Sequence, residues 1–309
     1  MEASEKAVMN CTVPRIDVCI CTFRRPLLLH RLLREVCDLQ TEGRLTYSLI
    51  VGDNDVHASA REVVSEFVSG ARTEVTYCVE PVQNIARVRN RVLDLAKGEF
   101  VALIDDDEYP AKDWLLVLLA ACQERKADGV LGPVLPEFSN DTPDWFRRAG
   151  LYDFRKRHST GEKLRWQECR TGNALLRREI LKELPGPFRE EFGTGGEDQD
   201  FFRRAIERGK VFTWCDEALV YEAIQPSRWS RRVVLGRALL RGKDTFKHRR
   251  HRWLNLAKAL VAVPLYCMAL PVVFIAGQHH FMKLITKLAS HTGLLLASVG
   301  LNPMNQRHM

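Results

Sequence analysis

Phe100-Val101-Ala102-Leu103-Ile104-Asp105-Asp106-Asp107-Glu108 is a run of five apolar residues that passes directly into four acids. A short unbroken apolar run is the pattern of a strand buried on both faces. The acids then lie at its carboxyl end, where open α/β sheets bind ligands. The arrangement occurs twice upstream. Residues 16–22 (IDVCICT) form a buried-strand run ending in the polar corner Phe23-Arg24-Arg25-Pro26, and the strand over 47–52 stops at Asp53-Asn54-Asp55. Pro26 opens a helical pattern. Helical stretches are expected at 58–68 and 84–97, with Gly98 as a stop signal, and a third short strand at 75–79. Strands alternating with helices at this spacing predict βαβ units and a parallel sheet covered on both faces.

Further along, the pattern loosens. A helix is expected over 114–127, a short strand over 130–134, and irregular chain rich in Pro, Asp and Arg over 136–165. Another strand reads over 169–176. The hinge Gly193-Thr194-Gly195-Gly196 precedes the acids Glu197, Asp198 and Asp200, and a helix follows over 201–209. Strands at 211–214 and 218–221 close the body. The expected organisation is an N-terminal extension (1–15), an α/β catalytic domain (16–230) and a basic, apolar C-terminal segment (231–309).

Composition narrows the class. The chain has 309 residues, 46% hydrophobic and 28% charged, which suits a globular core and excludes a disordered or collagen-like chain. The net charge of +7 is unevenly spread. Residues 231–309 hold thirteen bases against one acid, Asp244, a net +12, which leaves −5 for residues 1–230. A surface-binding tail on a slightly acidic body is the reading. The nine cysteines include no Cys-x-x-Cys pair. Cys19 and Cys21 lie two apart in a strand pattern and read as packed small hydrophobes, so neither zinc nor disulfides are expected. The first fourteen residues lack the apolar segment of a secretory signal.

Three adjacent acids repel one another, and a divalent cation that shares phosphate oxygens offsets the charge; the alternative is a solvated acidic turn. Asp53 and Asp55 occupy an equivalent strand end, suited to a ribose or base. The cluster Glu197, Asp198 and Asp200 offers a general base opposite the metal.

These residues carry a resemblance. The corner 21–26 (CTFRRP), the acidic corner 51–55 (VGDND), 84–90 (NIARVRN), 103–108 (LIDDDE), 171–178 (TGNALLRR) and 195–205 (GGEDQDFFRRA) resemble, in order, the motifs of family 2 inverting glycosyltransferases of the GT-A fold. Within that family the chain is most similar to the succinoglycan-type exopolysaccharide glucosyltransferases. The resemblance implies an α/β GT-A domain that takes a UDP-sugar donor with Mg²⁺ or Mn²⁺. It implies that Thr22 and Asp53 contact uracil and ribose, with Arg25, Asp55, Asn84 and Arg89 on the donor side. Asp105 would reach ribose or metal, and Asp107 would be the principal metal ligand. Asp198 would take the acceptor proton, and Glu197 would orient acceptor or donor hexose. Asp200 is expected to be structural. Many relatives have a late His on the metal; here the matching position is Glu222, a metal ligand or a packed strand-end residue. Gln225, Arg228 and Trp229 are similar to the Gln-x-x-Arg-Trp of processive synthases, in which Arg meets the diphosphate and Trp the acceptor sugar. A basic helix start explains the same residues.

Residues 259–277 are nineteen uncharged residues, about 28 Å as a helix and close to a bilayer core of about 30 Å. Lys247 to Trp253 precede them as a basic cluster ending in an aromatic. Residues 281–301 carry Lys283, Lys287 and His291 about four apart, the pattern of an interfacial helix. Membrane association is expected, as a span, a re-entrant loop or a monotopic anchor; a helical pair packed on the body is the alternative. The basic flank places the catalytic body on the cytoplasmic face of the bacterial inner membrane. The expected acceptor is a polyprenyl-diphosphate-linked oligosaccharide. Other enzymes of the same polysaccharide pathway are candidate partners, and no nucleic acid is expected, since few aromatics interleave with the basic run. A polyprenyl-phosphate glycosyltransferase and a non-enzymatic basic-tailed binding protein are the rival readings.

Overall fold

The computed structural model describes residues 13–70, 73–151, 156–193, 195–247 and 252–301. The expected N-terminal extension therefore lies, up to residue 12, outside the described residues. The elements run in the order β1 (Arg15–Thr22), α1 (Pro26–Cys37), β2 (Thr46–Asp53), α2 (Arg61–Gly70), β3 (Val75–Val79), α3 (Ile85–Leu95), β4 (Phe100–Asp105) and β5 (Glu108–Pro110). There follow α4 (Trp114–Glu124), β6 (Gly129–Leu131), β7 (Val134–Glu137), α5 (Asp144–Arg148), β8 (Asn173–Arg177), α6 (Arg178–Glu183), α7 (Glu197–Glu207), β9 (Phe212–Trp214) and β10 (Val220–Ala223). The tail forms α8 (Arg231–Lys247), α9 (Arg252–Ile275) and α10 (Gln278–Ser298).

The chain divides into two compact units, Met1–Leu135 with Arg157–Tyr221, and Pro136–Lys156 with Glu222–Met309. The first holds a seven-stranded sheet of order β3-β2-β1-β4-β8-β6-β9. Neighbours are parallel except around β8, which runs antiparallel to both β4 and β6. A three-stranded sheet, β5-β10-β7, lies where the chain leaves this unit.

Strand alternation builds a core on each face of the sheet. Ile16, Val18 and Ile20 of β1 face one cluster with Leu49 and Val51 of β2, while Cys19 and Ile50 face the other. α1 lays Leu29, Leu32, Leu33 and Val36 on the first cluster, a spacing of three and four that puts them on one helical face. Each such fully buried aliphatic side chain contributes about 2 kcal/mol before entropy is counted. α3 and α7 cover the second cluster through Val92, Phe201 and Phe202.

Asp17 sits fully buried at the start of β1 and ties β2 and the loop before β4 to it. It accepts from Ser48 Oγ (2.6 Å), Arg15 Nε (3.2 Å) and the backbone N–H groups of Lys97 and Gly98. Burial pushes its carboxyl up, and these bonds outweigh that and hold it below the usual carboxylate range. Gly98 must be glycine here, because a Cβ would press on the Arg15 carbonyl.

The sheet order reverses at β1, with β2 on one side and β4 on the other. That is the switch point at which open α/β sheets form their crevice. In register, Thr22 pairs with Asp53 and Cys21 with Asp105, so three polar strand ends meet at one edge.

Three elements differ from expectation. The single strand expected over 130–134 is two strands, β6 and β7, parted by Gly132 and Pro133. Proline has no N–H to extend a ladder. The strand expected over 169–176 is β8, shorter and antiparallel. The helix expected over 201–209 begins four residues earlier, at Glu197, after Gly195 and Gly196 turn with φ of 125° and 92°.

The second unit takes in a middle segment as well as the tail. Phe146, Ala149 and Leu151 pack with Ile224, Val234 of α8 and Met282 of α10, and Trp229 lies against them. This apolar cluster explains why 136–156 joins the tail and not the sheet.

Candidate active site

The site is built on the carboxyl ends of β1, β2 and β4 and the starts of α3 and α7. At the β2 end, Asp53 is fully buried. Its Oδ1 accepts from the Asp55 N–H (3.0 Å), and its Oδ2 from the Ala60 N–H (2.7 Å) and the Tyr77 hydroxyl (2.9 Å). Asn54 is similarly committed. Its amide nitrogen donates to the carbonyls of Glu80 (2.9 Å) and Val82 (2.7 Å), and its oxygen accepts from Asn84 N–H (2.8 Å). Asp55 pairs with Arg24, which donates to both of its oxygens at 3.2 and 3.3 Å. Arg24 holds the Asp55 carboxyl below its ordinary range.

Asn84 caps α3 by accepting from the N–H groups of Ala86 (2.9 Å) and Arg87 (3.2 Å). Its amide nitrogen reaches the Glu190 carbonyl at 3.0 Å, and a Cβ on Gly193 would collide with its side chain. The start of α3 is thereby docked on the loop that leads to α7.

At the β4 end the three acids differ. Asp105 is the open one, its side chain 41% exposed. Asp106 and Asp107 are buried and share Arg25, at 3.0 and 3.2 Å, and Asp106 also accepts from the Thr22 hydroxyl at 2.8 Å. Burial raises the Asp106 carboxyl above its usual value, with the Asp107 charge adding to the rise and Arg25 opposing it. Glu108 accepts from Asp105 N–H at 3.0 Å and leaves no room for a side chain on Gly172.

Arg89 joins this corner to the opposite side. It is buried on α3, donates to Asp105 Oδ1 at 3.2 Å, and forms a close ion pair with Glu197 on the first turn of α7. Burial lowers its affinity for a proton, and the charges of Glu197 and Asp105 more than reverse that, so it stays cationic. Glu197 is thus bound by a guanidinium. Asp198, one residue on, accepts from Gln199 N–H (2.7 Å), and its nearest cation among the described residues is Arg170 at 3.9 Å. Arg170 is itself within reach of the Gln199 side chain, at 2.7 and 3.0 Å from its oxygen once the amide is turned to accept from the guanidinium. A carboxylate without a tight cationic partner is the better proton acceptor of the two. Asp200 points the other way, buried among Arg189, Arg203 and Arg204 at 2.6 to 2.9 Å.

The structure thus brings Thr22, Arg25, Asp53, Asp55, Asn84, Arg89, Asp105, Asp107, Glu197 and Asp198 to one sheet edge. Glu222, Arg228 and Trp229 belong to the second unit. There Glu222 and Arg228 form an ion pair and Trp229 packs on the apolar cluster. Sequence reasoning missed Arg24, Asn54, Tyr77, Asp106 and Arg170 as parts of the site. Asn54 and Asp106 stood inside motifs already singled out; Tyr77 and Arg170 carried no local signal.

A doubly covered α/β sheet with acids at its switch point, facing a second acidic pair across a buried arginine, is the arrangement that the resemblance in the sequence implied. A sequence model of the family described as "Glycosyl transferase family 2" matches residues 17–185, and the chain belongs to that family. It is 32% identical over 302 residues to the Rhizobium meliloti succinoglycan biosynthesis protein ExoM, covering 94% of this chain and 95% of that one. It is 21% identical over 218 residues to the Haloferax volcanii glycosyltransferase AglE, covering 71% and 70%. Two of the solved structures that share the fold illustrate it. The Pyrobaculum calidifontis mannosyltransferase PcManGT, in complex with GDP-Man and Mn²⁺, gives a TM-score of 0.64 at 18% identity over 93% of this chain and 86% of that one. S. aureus TarS 1–349, in complex with UDP, gives 0.53 at 16% identity over 94% and 93%. The chain is a glycosyltransferase of the GT-A fold, homologous to a succinoglycan biosynthesis protein, and the reading as a non-enzymatic binding protein falls.

Proposed function

We propose that this glycosyltransferase moves a hexose, glucose from UDP-glucose, with inversion onto a polyprenyl-diphosphate-linked oligosaccharide. On this reading it adds one β-linked sugar in exopolysaccharide synthesis, alongside other enzymes of that pathway, at the cytoplasmic face of the inner membrane. The observation that carries the reading is Arg89, which binds at once the donor-side Asp105 and Glu197, the neighbour of the base Asp198. The chemistry follows from that division. Asp198 takes the proton of an acceptor hydroxyl while its oxygen bonds to the anomeric carbon. The bond from that carbon to the diphosphate oxygen breaks, and UDP leaves with the electron pair. Attack opposite the leaving group inverts the anomeric centre, so an α-linked donor gives a β-linkage. Glu197, held by Arg89, orients a sugar hydroxyl.

The donor set fits Mg²⁺ or Mn²⁺. Among the described residues no three His, Cys, Asp or Glu side chains gather as a metal cage. A cation that shares a diphosphate needs only one or two carboxylates and suits hard oxygens. Asp107 and the exposed Asp105 would hold it, and it would neutralise charge on the departing diphosphate. Thr22, Asp53 and Asp55 shape the nucleoside end, with Arg24 and Arg25 as local cations. The helix α9 is long and apolar enough to cross a bilayer, which supports membrane association.

The test is UDP release by detergent-solubilised full-length protein from UDP-glucose with Mg²⁺ or Mn²⁺, with and without extracted lipid-linked oligosaccharide. Release that requires both metal and acceptor, and is lost in Asp107→Ala, is expected. Release with polyprenyl phosphate alone, undiminished in Asp198→Asn, would favour transfer to a phosphate anion, which needs no base.

A further inference from the structure

The surface of α9 is two-sided along its whole length. Its exposed residues fall in pairs at 253–254, 257–258, 260–261, 264–265, 267–268, 271–272 and 274–275, a repeat of seven that keeps them on one stripe. Thirteen of these fourteen residues are uncharged, Lys258 being the exception. Trp253, Leu260, Met268, Val272 and Ile275 are each more than 60% exposed. A continuous apolar stripe of this length on a folded protein marks a surface that is covered in use.

The neighbours of α9 decide what covers it. α10 returns antiparallel beside α9, with Phe274 against Phe281 (5.4 Å) near one end and Tyr266 against His291 (5.8 Å) further along. α8 runs parallel to α10 on the other flank. Arg231 donates to Gln278 at 3.3 Å near their starts, and further on Gly242 and Gly293 let the two backbones touch, Gly242 on Ser290 and Gly293 on Leu239. α10 therefore lies alongside both α8 and α9 and joins the three helices into a single block. α8 carries Arg231, Arg232, Arg237, Arg241, Lys243, Asp244 and Lys247, and α10 carries Lys283 and Lys287. Were α9 to cross a bilayer, the rest of the block would be drawn into the hydrocarbon with it, where each of these charges is costly.

The geometry points to α9 as a monotopic anchor that lies in the plane of one anionic lipid leaflet, bedded by its exposed stripe, with α8 and α10 as its water-facing support. This rests on the membrane association proposed above and replaces a span by an in-plane dock. Charge selects the leaflet over a second copy of the chain: residues 231–309 hold thirteen bases and one acid, so two tails repel while an anionic surface attracts. Trp253 at the start of the stripe suits the headgroup level, and the 24 residues lie along about 36 Å of leaflet.

The test uses full-length protein with nitroxide labels at native Cys267, at Leu254→Cys and at Phe274→Cys, the latter two in a Cys267→Ser background whose own signal is subtracted. Each is added to preformed vesicles of phosphatidylglycerol and phosphatidylcholine, and label depth is read with oxygen and with an impermeant relaxing agent outside. One shared shallow depth at all three positions, with every label within reach of the outside agent, is the expected result. A deep Cys267 with position 254 or 274 shielded at the far surface would overturn the in-plane dock and leave membrane association standing. Failure to float with vesicles would remove membrane association and the dock together. Met268→Lys with Val272→Lys, checked for unchanged Tm, is expected to reduce flotation at least tenfold; unchanged flotation would contradict a docking role for the stripe.

Discussion

Two acid-bearing triplets stand at strand ends on either side of β1, Asp53-Asn54-Asp55 at the end of β2 and Asp105-Asp106-Asp107 at the end of β4, and the fold treats them differently. Asp53 and Asn54 bond backbone N–H groups, backbone carbonyls and the Tyr77 hydroxyl. Those partners are fixed by the chain. The β4 acids face Arg25 and Arg89, long cationic side chains, and Asp105 stays open. An acid held by backbone shapes a loop, whereas an acid held by arginine has a partner that a phosphate can draw away. The same split recurs on the first turn of α7, where Glu197 and Asp200 are taken by arginines and Asp198 is left with one at 3.9 Å.

That comparison breaks if the two triplets respond alike to substitution. The largest effect is expected at the open corner. Asp105→Ala should lower UDP release roughly 10²–10³-fold, the scale of one lost electrostatic contact at the reacting group, while urea unfolding shifts little. A stability loss that accounts for the lost rate would erase the distinction.

Next comes Asp200→Ala, which strips three arginines of a buried partner and should cost about 3 kcal/mol in urea unfolding. Burial raises the Asp200 carboxyl, and its bonds from Arg189, Arg203 and Arg204 outweigh that, so its pKa lies below the ordinary value. The stability it supplies is therefore complete above about pH 4 and is lost as the pH falls below that. Asp200→Asn should flatten the acid limb of a stability–pH curve; an unchanged limb would show that other acids set it.

Asp53→Ala should cost about 2 kcal/mol, since it leaves buried donors at Ala60 and Tyr77 without their acceptor. The smallest change is Arg24→Ala. Its guanidinium is more than half exposed, so the loss should stay below about 1 kcal/mol.

The sheet edge was legible in the sequence because apolar runs ending in acids mark both a strand and its carboxyl end. All four strands from β1 to β4 fell where the runs lay, and the three corners with them. Direction was not legible: Asn173-Ala174-Leu175-Leu176-Arg177 reads the same in a parallel or antiparallel strand, and β8 is antiparallel. β5, three residues long, has no period to detect. α7 began earlier than its apolar spacing indicated, because Glu197, Asp198 and Asp200 hide the first turn. Partnerships across long separations, such as Arg89 with Glu197 or Tyr77 with Asp53, leave no trace in local pattern. Pro264 and Pro271, seven apart, share one side of α9 and lie on its exposed stripe.

The account turns on Asp198 as the base and Glu197 as its arginine-bound neighbour. Turnover of UDP-glucose with the lipid-linked acceptor, measured beside UDP affinity in Asp198→Asn and Glu197→Gln, tests this most directly. The account predicts that Asp198→Asn loses roughly 10²–10⁴-fold in turnover with UDP binding kept, and that Glu197→Gln weakens donor binding along with rate. Full turnover in Asp198→Asn would contradict it.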